Sequence, residues 1–223
     1  MIYYRMSSVL SVNKPPVFED NRFRIAKTCF KTFVEAFKDI KPDIHFMFDN
    51  CGKEFLEMVQ ELCPFKFTYE FSQYGNYNSC LKQYLLADKN KDDVILFIED
   101  DYIWKEGIGK YFIAAVKELG IASPYDNVDF YISEPFISRK ENIKLINNWH
   151  WRTIQSSPMT FGITREKFVA NRKILDYHGP NSSALFAEIP DKIWCPIPSF
   201  ATHFVKSLMA PSVDWTKYYQ IDK

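Results

Sequence analysis

The stretch that decides the fold is Val94-Ile95-Leu96-Phe97-Ile98, which runs directly into Glu99-Asp100-Asp101. A continuous run of apolar, β-favouring residues with charges on both sides is typical of a strand that is buried on both faces of a parallel sheet. In such sheets the ligand binds beyond the carboxyl ends of the strands. The stretch therefore predicts a central strand and places three carboxylates where a ligand site is expected.

Short apolar runs alternate with helical patterns on both sides of this strand. Before it, strands and helices are predicted in turn at residues 2–9, 21–40, 44–48, 53–62, 65–71 and 78–87. After it, a helix is predicted over 107–119 and strands over 129–133 and 159–164. This alternation predicts an α/β fold, a three-layer sandwich with a mainly parallel central sheet and right-handed crossovers.

The bulk composition limits the classes of function. The chain has 223 residues, of which 47% are hydrophobic and 17% aromatic, which is enough for a folded core. Lysine plus arginine and aspartate plus glutamate both number 28, so the formal net charge is zero. A protein that binds duplex nucleic acid usually carries a basic excess, because neutralising phosphates supplies its affinity. We therefore expect no nucleic-acid partner.

The cysteines and the N-terminus bear on the cellular compartment. The five cysteines are odd in number and none has C-x-x-C spacing, so free thiols in a reducing compartment are expected. Residues 1–5 lack the features of a signal peptide, and no apolar run approaches the roughly 20 residues that cross a bilayer. These observations predict a cytoplasmic protein without a membrane span, in the host cytoplasm if the source is a virus.

The acidic cluster after the central strand needs a physical reason. Three adjacent carboxylates repel one another and lose hydration at a buried strand end. A divalent cation would relieve both costs, and oxygen ligands suit Mg²⁺ or Mn²⁺. Because alternate residues of an extended chain point the same way, Glu99 and Asp101 are expected to share one side. The alternative is that the acidic residues only end the strand and begin a helix, with Asp101 as its N-cap.

The same segment resembles a motif of a known family. An apolar strand followed by Glu99-Asp100-Asp101-Tyr102 resembles the D-x-D element of GT-A-fold glycosyltransferases. Other short motifs resemble, in the same order, those of small GT-A-like transferases from bacteria and large DNA viruses. They are Tyr4-Arg5-Met6-Ser7-Ser8, Phe48-Asp49-Asn50, Tyr74-Gly75-Asn76-Tyr77-Asn78-Ser79, Ser156-Ser157-Pro158-Met159-Thr160-Phe161, Pro196-Ile197-Pro198-Ser199-Phe200-Ala201-Thr202-His203 and Ala210-Pro211-Ser212-Val213-Asp214-Trp215. Together they span nearly the whole chain.

The resemblance implies a GT-A-like (Rossmann-like) fold that occupies residues 1–223 as one domain. Residues 1–104 would form the half that binds nucleotide sugar and metal, and residues 105–223 the acceptor-binding half with a C-terminal loop. The implied activity is that of a metal-dependent glycosyltransferase of the hexosyltransferase type. It would move a sugar from a nucleoside-diphosphate sugar, UDP-linked, to a glycan or other hydroxyl acceptor. The implied cofactor is Mn²⁺ or Mg²⁺.

The resemblance also implies roles for individual residues. Glu99 and Asp101 would be metal ligands, with Asp100 nearer the sugar or ribose in a catalytic position. His203 matches the histidine that GT-A enzymes often supply from a C-terminal loop as a further metal ligand. The alternative for His203 is an ordinary loop histidine satisfied by its neighbours.

A second group of residues is implied to bind the nucleotide sugar. Besides Asp100, its members are Arg5, Ser7, Asp49, Asn50, Asn78 and Ser79. Asp49 would accept a hydrogen bond from the base, Asn50 or Ser7 would bond the ribose, and Arg5 would lie near the base or a phosphate. The alternative for Asp49-Asn50 is a turn, and for Asn78 and Ser79 it is helix capping.

The general base is the weakest part of the resemblance. Related transferases place a carboxylate near a helix start well after the metal motif, but Gly179-Pro180-Asn181-Ser182-Ser183-Ala184 contains none. We favour Glu134, since the end of the predicted strand at 129–133 would aim it at the donor cleft. Asp176, Glu188 and Asp191 are the alternatives.

Five aromatic residues form either a floor for sugar rings or ordinary core packing. They are Tyr102, Trp104, Trp149, Trp151 and Trp215.

Two other functions share parts of this pattern. A nucleotidyltransferase that makes sugar nucleotides has the same layout and metal carboxylates, but it usually carries a glycine-rich loop after the first strand, and residues 7–14 contain no glycine. A non-catalytic carbohydrate-binding module with a degenerate cleft is the other alternative. Release of UDP from UDP-sugars with Mn²⁺, compared with and without EDTA, distinguishes these functions.

Overall fold

A computed structural model of the chain describes residues 1–9 and 13–219; residues 10–12 and 220–223 lie outside it. The strands are β1 Ile2–Ser7, β2 Ile44–Asp49, β3 Phe67–Ser72, β4 Val94–Glu99, β5 Tyr102–Trp104, β6 Ile121–Ala122, β7 Ile143–Ile146, β8 Trp149–Ile154, β9 Phe161–Thr164, β10 Ile193–Ile197 and β11 Ala201–His203. The helices are α1 Arg22–Phe37, α2 Lys53–Leu62, α3 Gly75–Asp88, α4 Gly109–Leu119, α5 Asp129–Ile132, α6 Arg165–Ala170, α7 Arg172–His178, α8 Ser182–Glu188 and α9 Thr216–Tyr219.

Nine of the described strands form one sheet in the order β3-β2-β1-β4-β9-β6-β10-β8-β7, and β5 pairs separately with β11. The first four strands of that order run parallel. β9 and β8 run against their neighbours, so the other seven strands share one direction. The mainly parallel sheet predicted from the sequence is confirmed, with β4 near its middle.

The continuous apolar run of β4 is explained by two cores, one on each face of the sheet. Leu96 and Ile98 belong to the core formed with α1, α2 and α4, whereas Ile95 and Phe97 belong to the core formed with α3, α6, α7 and α8. Side chains of a strand alternate between faces, so a strand covered on both sides needs apolar residues at every position. Helices on both faces confirm the three-layer sandwich.

The predicted strand at 129–133 is wrong, because these residues form the short helix α5. The Asn127 side chain accepts a hydrogen bond from the Asp129 amide at 3.1 Å, and the Tyr131 amide donates to the Val128 carbonyl at 2.9 Å. Local bonds of this kind start a helical turn and outweigh the β preference of an apolar stretch.

Two further findings bear on the predictions. The residues after Asp101 form strand β5, so Asp101 does not cap a helix. Within residues 1–9 and 13–219, no helix combines the length and apolar character that crossing a bilayer requires.

Gly162 of β9 tests how closely the sheet and α4 pack. A Cβ at this position would lie 2.5 Å from Val116 Cγ2 and 2.7 Å from Leu96 Cδ2. We expect Gly162→Ala to lower the free energy of unfolding by about 1–3 kcal/mol, because overpacking forces neighbours off their rotamers. Chemical denaturation measures this change.

Val116→Ala supplies the control, since it removes the methyl group that the new Cβ would meet. In a double-mutant cycle the pair should cost less than the sum of the single changes by at least about 0.5 kcal/mol. Strict additivity would contradict the close contact.

Candidate functional site

A cavity of about 600 Å³ opens at the carboxyl ends of β1, β2 and β4, beside the starts of α1 and α3. Eight residues predicted from the sequence line it: Arg5, Ser7, Asp49, Asn50, Ser79, Glu99, Asp100 and Asp101. They lie in four separate parts of the chain. The structure therefore brings together most of the predicted donor site.

Glu99 ends β4 and is paired with Arg5 of the neighbouring strand β1. Arg5 donates from Nε to Glu99 Oε2 and from Nη2 to Oε1, both at 3.0 Å. Burial raises the pKa of Glu99, and the nearby Asp101 and Asp100 raise it further, whereas the charge of Arg5 lowers it. The net result is a pKa of about 7. Both carboxylate oxygens of Glu99 are thus committed to a guanidinium of the same chain.

Arg5 also fixes the start of α3. Its Nη1 donates to the Asn76 carbonyl at 2.6 Å and to Ser79 Oγ at 2.7 Å. Gly75, Asn76 and Ser79 line the cavity, and Tyr74 provides no side-chain cap for the helix. Arg5 therefore joins β1, β4 and α3 at one point. The exposed Asn78 is not among the cavity-lining residues, and its amide donates to the Tyr74 carbonyl.

Asp100 is buried and accepts hydrogen bonds at both oxygens. The Ser7 amide donates to Oδ2 at 3.0 Å, and Arg22 Nη2 donates to Oδ1. Burial raises the pKa of Asp100 although Arg22 opposes it. Asp100 thus holds the loop after β1 and the side chain of Arg22 in place, rather than presenting free oxygens to a ligand.

Asp101 and His203 face each other across the pair of strands β5 and β11. His203 Nε2 lies 3.1 Å from Asp101 Oδ2, and the Tyr102 ring stacks on His203 with centroids 5.2 Å apart. Burial would raise the pKa of Asp101, but His203 outweighs it and the pKa falls to about 2. Burial alone would lower the pKa of His203, but the neighbouring Asp101 outweighs burial, so the pKa of His203 is raised.

The predicted three-ligand metal site is assembled only in part. Among the described residues no group of three or more histidine, cysteine, aspartate and glutamate side chains is placed to hold a metal ion. Asp101 and His203 fit as two ligands, since a carboxylate oxygen and an imidazole nitrogen suit Mn²⁺. Both oxygens of Glu99 already accept hydrogen bonds from Arg5, so its role as a metal ligand stays a prediction.

Asp49 and Asn50 shape the wall of the cavity at the end of β2. Asp49 Oδ1 accepts hydrogen bonds from Ser72 Oγ at 2.8 Å and from the Tyr74 amide at 2.7 Å. Asn50 adopts a positive φ of 58°, and its backbone N–H donates to the Ser72 carbonyl at 2.8 Å. The turn-forming role is therefore present, and Asp49 positions the connection between β3 and α3.

Glu134 lies away from this cavity. It is exposed, it follows α5 rather than a strand, and it accepts a hydrogen bond from Ser138 Oγ at 2.7 Å. The argument that placed it at a strand end is removed, so its role as base stays a prediction without that support. None of the alternatives Asp176, Glu188 and Asp191 lines the cavity.

The five aromatic residues do not form a floor of the cavity. Tyr102, Trp104, Trp151 and Trp215 are buried in the core formed with α1, α2 and α4, and Trp149 packs against it. Core packing is therefore the correct alternative for them.

The sequence analysis missed part of the lining, most importantly Arg22. Lys14, Glu19 and Asp20 also line the cavity, in the segment that leads from β1 to α1. A usable signal was present, because Asn21 caps α1 through its side chain. A helix that follows a parallel strand begins at the carboxyl edge of the sheet, so its first residue, Arg22, belongs to the same region as the strand ends.

Comparisons with known proteins support the fold. No family model and no curated protein sequence matches the chain. The structure of the galactosyltransferase LgtC in complex with donor and acceptor sugar analogues is similar with a TM-score of 0.51 at 9% identity, over 87% of this chain and 72% of that chain. S. aureus TarS 1–349 is similar with a TM-score of 0.51 at 10% identity, over 87% of this chain and 57% of that chain.

Both similar structures cover 87% of this chain. At such low sequence identity they bear on the fold alone. The GT-A-like fold that the sequence motifs predicted is confirmed.

Proposed function

We propose that the chain is a glycosyltransferase that binds a nucleoside-diphosphate sugar, UDP-linked, in the cavity at the ends of β1, β2 and β4. It transfers the sugar to a hydroxyl group of a glycan or glycosylated acceptor. The observation that carries this proposal is the convergence of eight motif residues on one cavity at the carboxyl edge of a GT-A-like sheet. The similar structure of LgtC, a galactosyltransferase, contains donor and acceptor sugar analogues.

The charge of the cavity supports a role for a divalent cation. Six carboxylates line it among the described residues, against only three basic side chains: Arg5, Lys14 and Arg22. A diphosphate entering such a cavity would meet net repulsion unless a cation accompanied it. Asp101 and His203 would hold Mn²⁺ or Mg²⁺. When bound, this ion would stabilise the negative charge of the departing diphosphate.

The chain's own residues would bind and orient the donor. The loop at Ser7 and the turn at Asn50 border the part of the cavity where the nucleoside would lie. The first turn of α3 has amide groups that its own side chains do not cap, and such groups favour phosphate. Arg5 and Asp49 would fix these elements so that the donor meets a preformed site.

Release of UDP from a panel of UDP-sugars tests this function. We expect Mn²⁺-dependent release that EDTA abolishes, because the cavity is net negative without a cation. Coupled detection of UDP measures it, and the Mn²⁺ solution without protein is the control. Failure of the chain to bind or cleave any nucleotide sugar would sink the proposal and favour a non-catalytic module.

The different partners of Asp101 and Glu99 support a metal role for Asp101 rather than for Glu99. We expect Asp101→Asn and His203→Gln each to reduce, by about 10- to 100-fold, the factor by which Mn²⁺ raises the affinity for UDP. Glu99→Gln should change that factor by less than about 3-fold. The reason is that Glu99 already has both oxygens bonded to Arg5. Calorimetric titration of UDP at several Mn²⁺ concentrations measures the effect.

Asp39→Asn is the matched control, since Asp39 is exposed beyond the end of α1 and outside the cavity lining. It should leave the Mn²⁺ dependence unchanged. A loss in Glu99→Gln as large as that in Asp101→Asn would instead support the three-ligand site read from the sequence.

A further inference from the structure

Arg22 is the second arginine that lines the cavity, besides Arg5. It is the first residue of α1, its side chain is only 12% exposed, and it reaches Asp100 across the cavity wall. The pairing with Asp100 orients one terminal nitrogen, Nη2. The guanidinium is thus held in a fixed position beside the acidic cluster.

The other terminal nitrogen of Arg22 lacks an acceptor. Nη1 is enclosed and has no hydrogen-bond partner in the part of the chain that the structure describes. An arginine carries five N–H donors, and a buried donor left unpaired costs free energy comparable to a lost hydrogen bond. A buried cation with an unpaired donor therefore favours an anionic ligand oxygen.

The neighbouring carboxylates each already have a partner. Asp100 Oδ2 accepts from the Ser7 amide, Asp101 Oδ2 faces His203, and both oxygens of Glu99 bond to Arg5. An acceptor for Arg22 Nη1 would come most economically from a ligand in the cavity.

Arg5 provides an internal comparison. Its Nε, Nη1 and Nη2 all donate to groups of the chain, in four hydrogen bonds, so every nitrogen of Arg5 has a partner and Arg5 acts as a positioning residue. Arg22 lines the same cavity, but its Nη1 has no hydrogen-bond partner among the described residues. The two arginines therefore differ in how many of their nitrogens have partners, although both pair with the acidic cluster.

We propose that Arg22 binds the diphosphate group of the donor through Nη1, and that Asp100 is the residue that positions it. This rests on the proposed function, because it takes the cavity ligand to be a nucleoside diphosphate. Arginine suits the role because its planar guanidinium pairs with phosphate oxygens in fixed geometry and stays charged. The proposal makes Arg22 the group that distinguishes a nucleoside diphosphate from a nucleoside.

The test compares the affinities of the chain for UDP and for uridine in the presence of Mn²⁺. We expect Arg22→Gln to weaken UDP binding by about 10- to 100-fold, as loss of a charge-assisted hydrogen bond does, and to change uridine binding by less than about 3-fold. Arg22→Lys keeps the charge but not the fork, so its UDP-to-uridine affinity ratio should fall by about 3- to 10-fold. Calorimetric or fluorescence titration measures both ligands.

Two controls keep the test decisive. Arg22→Gln leaves Asp100 buried without its cation, so the double variant Arg22→Gln/Asp100→Asn removes both members, and thermal unfolding monitors the fold of each variant. Lys38→Gln changes an exposed cation at the far end of α1 and should leave both affinities unchanged. If the glutamine variants fail to fold, the affinity ratio of Arg22→Lys decides the result.

The outcomes separate this inference from the proposed function. If the unaltered chain binds UDP and an Arg22 variant keeps the same UDP-to-uridine ratio, the role of Arg22 is overturned and the proposed function stands. An equal loss of UDP and uridine affinity also overturns it, since Arg22 would then only shape the pocket. If the unaltered chain binds no nucleoside diphosphate, both fail.

Discussion

The paired hydrogen bonds between Arg5 and Glu99 are the interaction on which the rest of the site depends. They join the carboxyl ends of two central parallel strands, and the same guanidinium holds the first turn of α3. Removing one member of a buried ion pair typically costs about 3–5 kcal/mol, because the other charge is left without compensation. The position of α3 and the outline of the cavity therefore follow from one arginine on the first strand.

The same constraint explains how three adjacent carboxylates coexist. Each has a different basic partner: Glu99 has Arg5, Asp100 has Arg22, and Asp101 has His203. The alternation of an extended chain directs neighbouring side chains apart, so the partners arrive from different elements. An acidic run that looks uniform in sequence thus becomes three groups with different freedom to meet a ligand.

This division sharpens the proposed chemistry. A carboxylate whose oxygens both accept hydrogen bonds from arginine contributes structure. In the proposed site, Asp101 and His203 would instead share a cation. Arg22 has an unpaired Nη1 and can therefore donate a further hydrogen bond. The proposed donor site therefore combines a framework of saturated contacts with a few groups whose partners are supplied by the ligand.

Much of the first half of the fold follows from the sequence, because β4 is a continuous apolar run and α1 and α2 have apolar residues at helical spacing. α2 was predicted with the bounds that it has in the structure, Lys53–Leu62. The second half is harder to read from sequence. Most of its strands are short and β10 contains a proline. The segment 129–133 has an apolar pattern that local hydrogen bonds turn into a helix.

The candidate site shows the same limit. Strand ends and the family resemblance together predicted eight lining residues, but not which partner each would take. The Arg5–Glu99 pair joins residues 94 positions apart, and no local pattern encodes it. Arg22 was not predicted, because the prediction considered strand ends. A helix that starts at the same edge of the sheet can equally place a side chain in the site.

A crystal structure of the chain with UDP and Mn²⁺, with anomalous scattering used to locate the manganese, tests the central claim most directly. The account predicts manganese bound by Asp101 and His203, the diphosphate within reach of Arg22, and Glu99 still paired with Arg5. Manganese bound by Glu99 after its separation from Arg5, or UDP bound outside this cavity, would contradict the account.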